Sequence, residues 1–267
     1  MVEVLASPFK GGKKIIYIIY NQMVKKYTRE DGKQTINWYK SEAFKEFKDE
    51  NDNYDYQATD IKPNSRVLVC GNTGSGKTNS LVSYLKLSPN LFSRIIIVFK
   101  EIEPIYEMLN KAFDNQIEFI NNLQALPTLK KLREGMNDKE RILLVIDDWI
   151  LDIAQRPKMF PQINDYFIYG RKKNVTLFFL SQDFYRIPIA LRNQMTYMLF
   201  FNMVQKRDIN AILSNFDNPK KELNKIYKSI VKEPMCFMKI NTQAQCADCN
   251  KVSRNFTDFV EDFSYDE

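Results

Sequence analysis

The octet Gly71-Asn72-Thr73-Gly74-Ser75-Gly76-Lys77-Thr78 follows an apolar run, Val67-Leu68-Val69-Cys70, and opens a stretch with helical spacing. It fits the pattern GxxxxGK[ST], a phosphate-binding loop between a buried strand and a helix. Three of the chain's eight glycines fall inside it. The chemistry explains that density. Successive backbone N–H groups must curl around phosphate oxygens, and Gly74 and Gly76 allow the turns and the close approach this needs. The helix that starts near Lys77 adds its positive end. Lys77 is placed to reach the β- and γ-phosphates, and the Thr78 hydroxyl to bind Mg²⁺. The pattern therefore predicts ATP and Mg²⁺ as cofactors, held by Gly71, Asn72, Thr73, Gly74, Ser75, Gly76, Lys77 and Thr78.

Some seventy residues on, Ile142-Leu143-Leu144-Val145-Ile146 ends in Asp147-Asp148. An acid at the carboxyl end of such a strand can hold Mg²⁺ through water, the role expected of Asp147. Asp148 is the candidate base that polarises the attacking water. A further apolar run, 175–180, ends in Ser181-Gln182. The Gln182 amide is expected to hydrogen-bond the γ-phosphate or its water, and Arg171, in Gly170-Arg171-Lys172-Lys173-Asn174, is a candidate finger for a neighbouring subunit's nucleotide. Arg192 is the other candidate for that arginine.

Outward from these motifs, apolar runs of strand length recur at 67–70, 95–99, 117–120, 142–147, 175–181, 198–202 and 235–240. Helical spacing fills the gaps at 77–87, 104–113, 123–134, 161–172 and 205–216. Several runs are continuously apolar rather than alternating, as in strands buried on both faces. The expected fold is α/β: a P-loop NTPase with a doubly wound, mostly parallel sheet and helices on both faces. Ligands in such sheets bind at the carboxyl ends of the strands. Residues 1–60 are expected to form a small N-terminal α+β module. They carry a strand-length run at 15–20 and helical spacing of Tyr39, Ala43, Phe44 and Phe47. The ATPase domain is assigned to 61–245 and an acidic C-terminal tail to 246–267.

Composition narrows the chemistry. The 267-residue chain has no histidine, which excludes a Ser-His-Asp triad and histidine-ligated zinc. Cys246 and Cys249 form a CxxC, while Cys70 sits in the strand before the phosphate loop, so the cysteines are read as reduced and the compartment as intracellular. No apolar stretch is long enough to span a bilayer and the N-terminus lacks a secretory signal, so neither a membrane span nor secretion is expected. Net charge is +6, and residues 166–230 hold eleven basic and four acidic side chains. Such an excess suits a polyanion partner, nucleic acid above all.

The set GNTGSGKT, ILLVIDDW and GRKKN leading into LFFLSQ resembles the FtsK/HerA superfamily of DNA-translocating ATPases. Within it the chain is similar to the genome-packaging ATPases of poxviruses, giant viruses and virophages. The likeness covers roughly residues 62–240 and includes Ile187-Pro188, Arg192-Asn193 and Phe200-Phe201-Asn202. Many superfamily members carry glutamate where this chain has Asp148. The resemblance implies an ATP-driven double-stranded DNA translocase, a homo-oligomeric ring of five or six subunits that packages a viral genome into a preformed capsid. Capsid proteins would be further partners, and the host cytoplasm at the viral factory, with the virion, the expected location. A nucleoside or small-molecule kinase on a related fold is the alternative. It would carry an arginine-rich lid and would leave Gln182 without a role. A non-catalytic nucleotide-binding module is a third reading, opposed by the intact set Lys77, Thr78, Asp147 and Asp148.

Overall fold

A computed structural model of the chain describes residues 56–114, 116–214, 220–244 and 252–260. Residues 1–55, on which most of the expected N-terminal module falls, and Cys246 and Cys249 lie outside them. The described residues form a nine-stranded sheet in the order β3-β2-β4-β5-β1-β6-β7-β8-β9. Its strands are β1 (Arg66–Cys70), β2 (Arg94–Val98), β3 (Ile117–Ile120), β4 (Ile142–Asp147), β5 (Val175–Ser181), β6 (Tyr197–Phe200), β7 (Met238–Asn241), β8 (Val252–Arg254) and β9 (Asp258–Phe259). Strands β1 to β6 pair in parallel, and β7, β8 and β9 add on antiparallel.

The two-residue period of a strand divides each parallel run between two cores. Leu68, Leu144, Ile146, Leu177 and Phe179 face one side, while Val67, Val69, Leu143, Val145, Phe178 and Leu180 face the other. On the second side α1 (Lys77–Leu87) contributes Leu81, Tyr84 and Leu85, and α2 (Pro104–Ala112) contributes Tyr106 and Leu109. The first side is covered by α3 (Leu129–Leu132), α4 (Ile150–Gln155), α5 (Pro161–Tyr169), α6 (Ile189–Arg192), α7 (Lys206–Ser214) and α8 (Lys220–Val231). Helices on both faces of a mostly parallel sheet make the fold α/β, as the apolar runs predict.

Three expectations change. The helix expected over 123–134 is a 3₁₀ turn, Leu123–Ala125, followed by the short α3. Pro127 supplies no N–H and starts a new segment, whose N-cap is Thr128 accepting from Lys131 N–H. The boundary at 245 also moves, because β8 and β9 belong to the sheet although they lie in the stretch assigned to an acidic tail. At the other end, residues 56–60 pack with the sheet rather than ahead of it. Thr59 is fully buried, and Asp60 Oδ2 accepts from Lys239 Nζ of β7 at 2.7 Å. Lys239 is 0% exposed, and its ammonium lies over the Tyr197 and Phe259 rings. Burial pushes its pKa down and Asp60 pulls it back up. A charge so placed is tolerable only when paired.

Candidate nucleotide-binding site

Strand order places β1 between β5 and β6, with β4 one strand beyond β5. The loops leaving the carboxyl ends of β1, β4 and β5 therefore open into one cleft. It encloses about 800 Å³ and is lined by Thr73, Lys77, Thr78, Asp147, Asp148 and Gln182, among others.

The phosphate loop is pinned on both flanks. Gly71 N–H donates to Ser181 O of β5, and Asn72 N–H to Asn202 O just beyond β6, each at 3.1 Å. A Cβ on Gly71 would lie 2.5 Å from Phe201 Cβ and 2.6 Å from Ser75 Oγ, so only glycine fits this approach. Gly76 caps α1 at φ 109°, a conformation closed to L side chains. Lys77 Nζ donates to Gly71 O and Asn72 O, each at 3.0 Å. Burial lowers the Lys77 pKa, and Asp147 opposes that most strongly.

The paired acids are separated by their surroundings. Asp147 ends β4, and its Oδ2 accepts from the Tyr106 hydroxyl at 2.5 Å. Burial raises the Asp147 pKa to about 6; the Tyr106 hydrogen bond works against that rise. Asp148 turns out of the strand at φ 59°. Its Oδ2 accepts from Gln182 Nε2 at 3.0 Å, while Gln182 Oε1 accepts from Thr73 Oγ1 at 2.9 Å. Gln182 thus bridges the phosphate loop and the second acid. The Thr78 hydroxyl and the Asp147 carboxylate are hard oxygen donors on one cleft, the ligand type Mg²⁺ takes. The raised pKa of Asp147 is an electrostatic deficit that a divalent cation would relieve. The residues fit the ion.

Arg171 lies elsewhere. It is exposed in the 3₁₀ turn Gly170–Lys173 that enters β5, at the amino end of the strand and away from its own phosphate loop. Burial lowers the pKa of nearby Arg66, and the Arg171 charge lowers it further. Arg192 closes α6 half-buried, with its guanidinium 5.0 Å from the Phe184 ring centre. The basic excess of 166–230 comes partly from α8, which buries Leu223, Tyr227 and Ile230 and exposes Lys220, Lys221, Lys225 and Lys228.

Sequence reasoning missed several residues at the cleft. Tyr106 reads as one more aromatic on an amphipathic helix, and only the fold carries its hydroxyl to Asp147. The segment after β2 brings Lys100, Glu101 and Glu103 to the rim, and Met235 arrives from the turn before β7. Of these, Glu103-Pro104 was the readable signal, a proline at the first position of a helix.

Residues 52–236 match the family model described as Poxvirus A32 protein. Similar curated proteins include the DNA packaging protein OPG160 of Monkeypox virus, 25% identical over 159 residues covering 54% of this chain and 49% of that protein. The protein of the same name from Vaccinia virus (strain Copenhagen) is 24% identical over 159 residues, covering 54% and 55%. The chain thus spans about half the length of the curated relatives it matches. Among solved structures, B204, the DNA-packaging ATPase from Sulfolobus Turreted Icosahedral Virus, shares the fold with a TM-score of 0.53 at 16% identity, over 73% of this chain and 98% of that one. With its family model covering more than half the chain, the protein belongs to the Poxvirus A32 protein family.

Proposed function

We propose that this protein is an ATPase that drives double-stranded DNA into a viral capsid. The observation that carries the reading is the convergence of the phosphate loop, the Asp147–Asp148 pair and Gln182 on one cleft. The DNA packaging named in its curated relatives gives that cleft a task.

Lys77 leaves the carbonyls of Gly71 and Asn72 for the β- and γ-phosphates when nucleotide enters. Thr78 and Asp147 would hold Mg²⁺, which would supply neutralising charge to the phosphoryl group. Asp148 uses Oδ1, the oxygen not engaged by Gln182, to accept the proton of the attacking water. Gln182 touches Asp148 and Thr73 together, so it registers the state of the γ-phosphate and passes it to the loop that follows β5. DNA follows the lysine face of α8 through sequence-independent phosphate contacts. The working form is a homo-oligomeric ring, pentamer or hexamer, acting in the cytoplasm at the viral factory and meeting capsid proteins there.

Arg171 acts on the neighbouring subunit. A strand of about seven residues spans ~20 Å, too far for it to reach its own nucleotide. The deciding experiment measures ATP turnover with and without double-stranded DNA alongside native mass. Stimulation together with a ring supports the reading, and an unstimulated monomer refutes it. Arg171→Ala subunits mixed with Lys77→Ala subunits should regain turnover. No recovery in rings that exchange subunits would move the role to Arg192.

A further inference from the structure

Eight non-glycine residues among those described have positive φ, and seven are asparagine or aspartate, the side chains that tolerate it. The eighth is Met235, at φ 61°. It occupies the third position of the turn Glu233-Pro234-Met235-Cys236, closed by Cys236 N–H donating to Glu233 O at 3.3 Å. Proline at the second position and positive φ at the third are ordinary turn chemistry, but the third place belongs to glycine or asparagine. Here a long thioether takes a conformation that costs energy, and it is 58% exposed, so no core packing compensates for it.

The side chain points to a use. Met235 lines the same cleft as Lys77 and Thr78. Its Cα and Cβ would each lie 3.3 Å from a Cβ on Gly76, and its Sδ accepts from Asn79 Nδ2 at 3.2 Å. It therefore stands against the first turn of α1, just past the residues assigned to phosphate. Strand order fixes which end of a nucleotide reaches it. Asp147, Asp148 and Gln182 come from β4 and β5 on one flank of β1, and the segment after β2 lies farther out on that same flank. The reactive phosphate must meet those acids. The rest of the nucleotide then leaves toward the other flank, where the turn before β7 holds Met235.

We infer that Met235 is the seat of the nucleobase, its thioether lying against the flat face of a purine. The inference rests on the phosphate-loop reading above and adds the base to it. Sulfur–aromatic contact is favourable and not directional, so the seat reads the face of the base and not its edge. ATP and GTP should use it alike.

The test compares binding of ATP, GTP and inorganic tripolyphosphate, each with Mg²⁺, by calorimetry on the full chain and on Met235→Gly. Glycine suits the backbone at this turn, so the variant should fold, and its melting temperature checks that. ATP and GTP should each bind about 2- to 10-fold more weakly to the variant. Tripolyphosphate, which has no base, should bind both proteins equally. Equal loss for all three ligands would make Met235 a support of the phosphate loop and overturn the seat. So would unchanged binding of the nucleotides, or a loss confined to ATP. Failure of the parent protein to bind any of the three would instead defeat the phosphate-loop reading itself.

Discussion

At the amino ends of the parallel strands, polar groups are tied to one another. Asn64 N–H donates to Thr176 Oγ1 and Asn64 Nδ2 to Asn174 Oδ1, at 2.9 and 2.8 Å. Arg66 N–H donates to Thr196 Oγ1, and the Arg66 guanidinium to Phe167 O. The segment entering β1 also supplies Asp60 to the buried Lys239. At the carboxyl ends the terms are reversed. Burial raises the Asp147 pKa to about 6, Lys77 is desolvated onto backbone carbonyls, and Met235 sits at positive φ, which at the amino ends is taken only by tolerant asparagines and aspartates, Asp60, Asn64 and Asn174 among them. The same strands thus tie polar groups to one another at one end and leave desolvated charges facing a cleft at the other, at a cost. Such local cost gathers where a ligand is to be met.

The contrast breaks if substitutions at the two ends behave alike. Lys77→Ala should abolish ATP turnover and weaken ATP binding while leaving the melting temperature of the nucleotide-free protein unchanged or raised. That variant loses a desolvated cation and no core contact. Near-native turnover would remove the phosphate loop from the argument. Asp148→Asn should keep ATP affinity and reduce turnover by about 10²–10⁴-fold, the range for a positioned general base. If instead it removes Mg²⁺ dependence and Asp147→Asn spares it, the two acids have exchanged roles.

Asp60→Ala tests the other end. It leaves the Lys239 ammonium buried without its carboxylate, a loss of about 3 kcal/mol or more in urea unfolding. Lys239→Met removes both the charge and its need for a partner, and should cost much less. The folded fraction of either variant should bind ATP with normal affinity. Equal destabilisation by the two would show that the pair is a packing contact and not an electrostatic one.

What the sequence makes legible follows from range. The phosphate loop is eight consecutive residues, and β1, β4 and β5 are continuous apolar runs, so both are read locally. Strand β7 overlaps the run read at 235–240, but the burial of its Lys239 does not show there, because its partner Asp60 is 179 residues away. Helix α8 has buried Leu223, Tyr227 and Ile230 at helical spacing, but a count of its lysines registers only charge. In the site, Asp147 and Asp148 announce themselves as acids ending a strand. Tyr106 stands 41 residues from Asp147, and Asn79 stands 156 from Met235. No local pattern carries either contact.

Tyr106 offers the finest test of the carboxyl end. Its hydroxyl donates to Asp147 Oδ2, and that bond lowers the Asp147 pKa against the larger effect of burial. Tyr106→Phe keeps the buried ring and deletes the bond, so the pKa should rise further above about 6. The sign follows: a proton competes with Mg²⁺ for the carboxylate, and the competition strengthens as pH falls through the folded pKa. The Mg²⁺ concentration for half-maximal nucleotide binding should therefore rise by about 10-fold, the lower end for a residue that orients a metal ligand. The increase should be larger at pH 6 than at pH 8, where Asp147 is ionised in both proteins. A purely structural role for Tyr106 would raise the Mg²⁺ requirement equally at both pH values. Titrating Mg²⁺ against a fluorescent ATP analogue at the two pH values separates these outcomes. A pH-independent shift would leave Asp147 oriented by the fold alone.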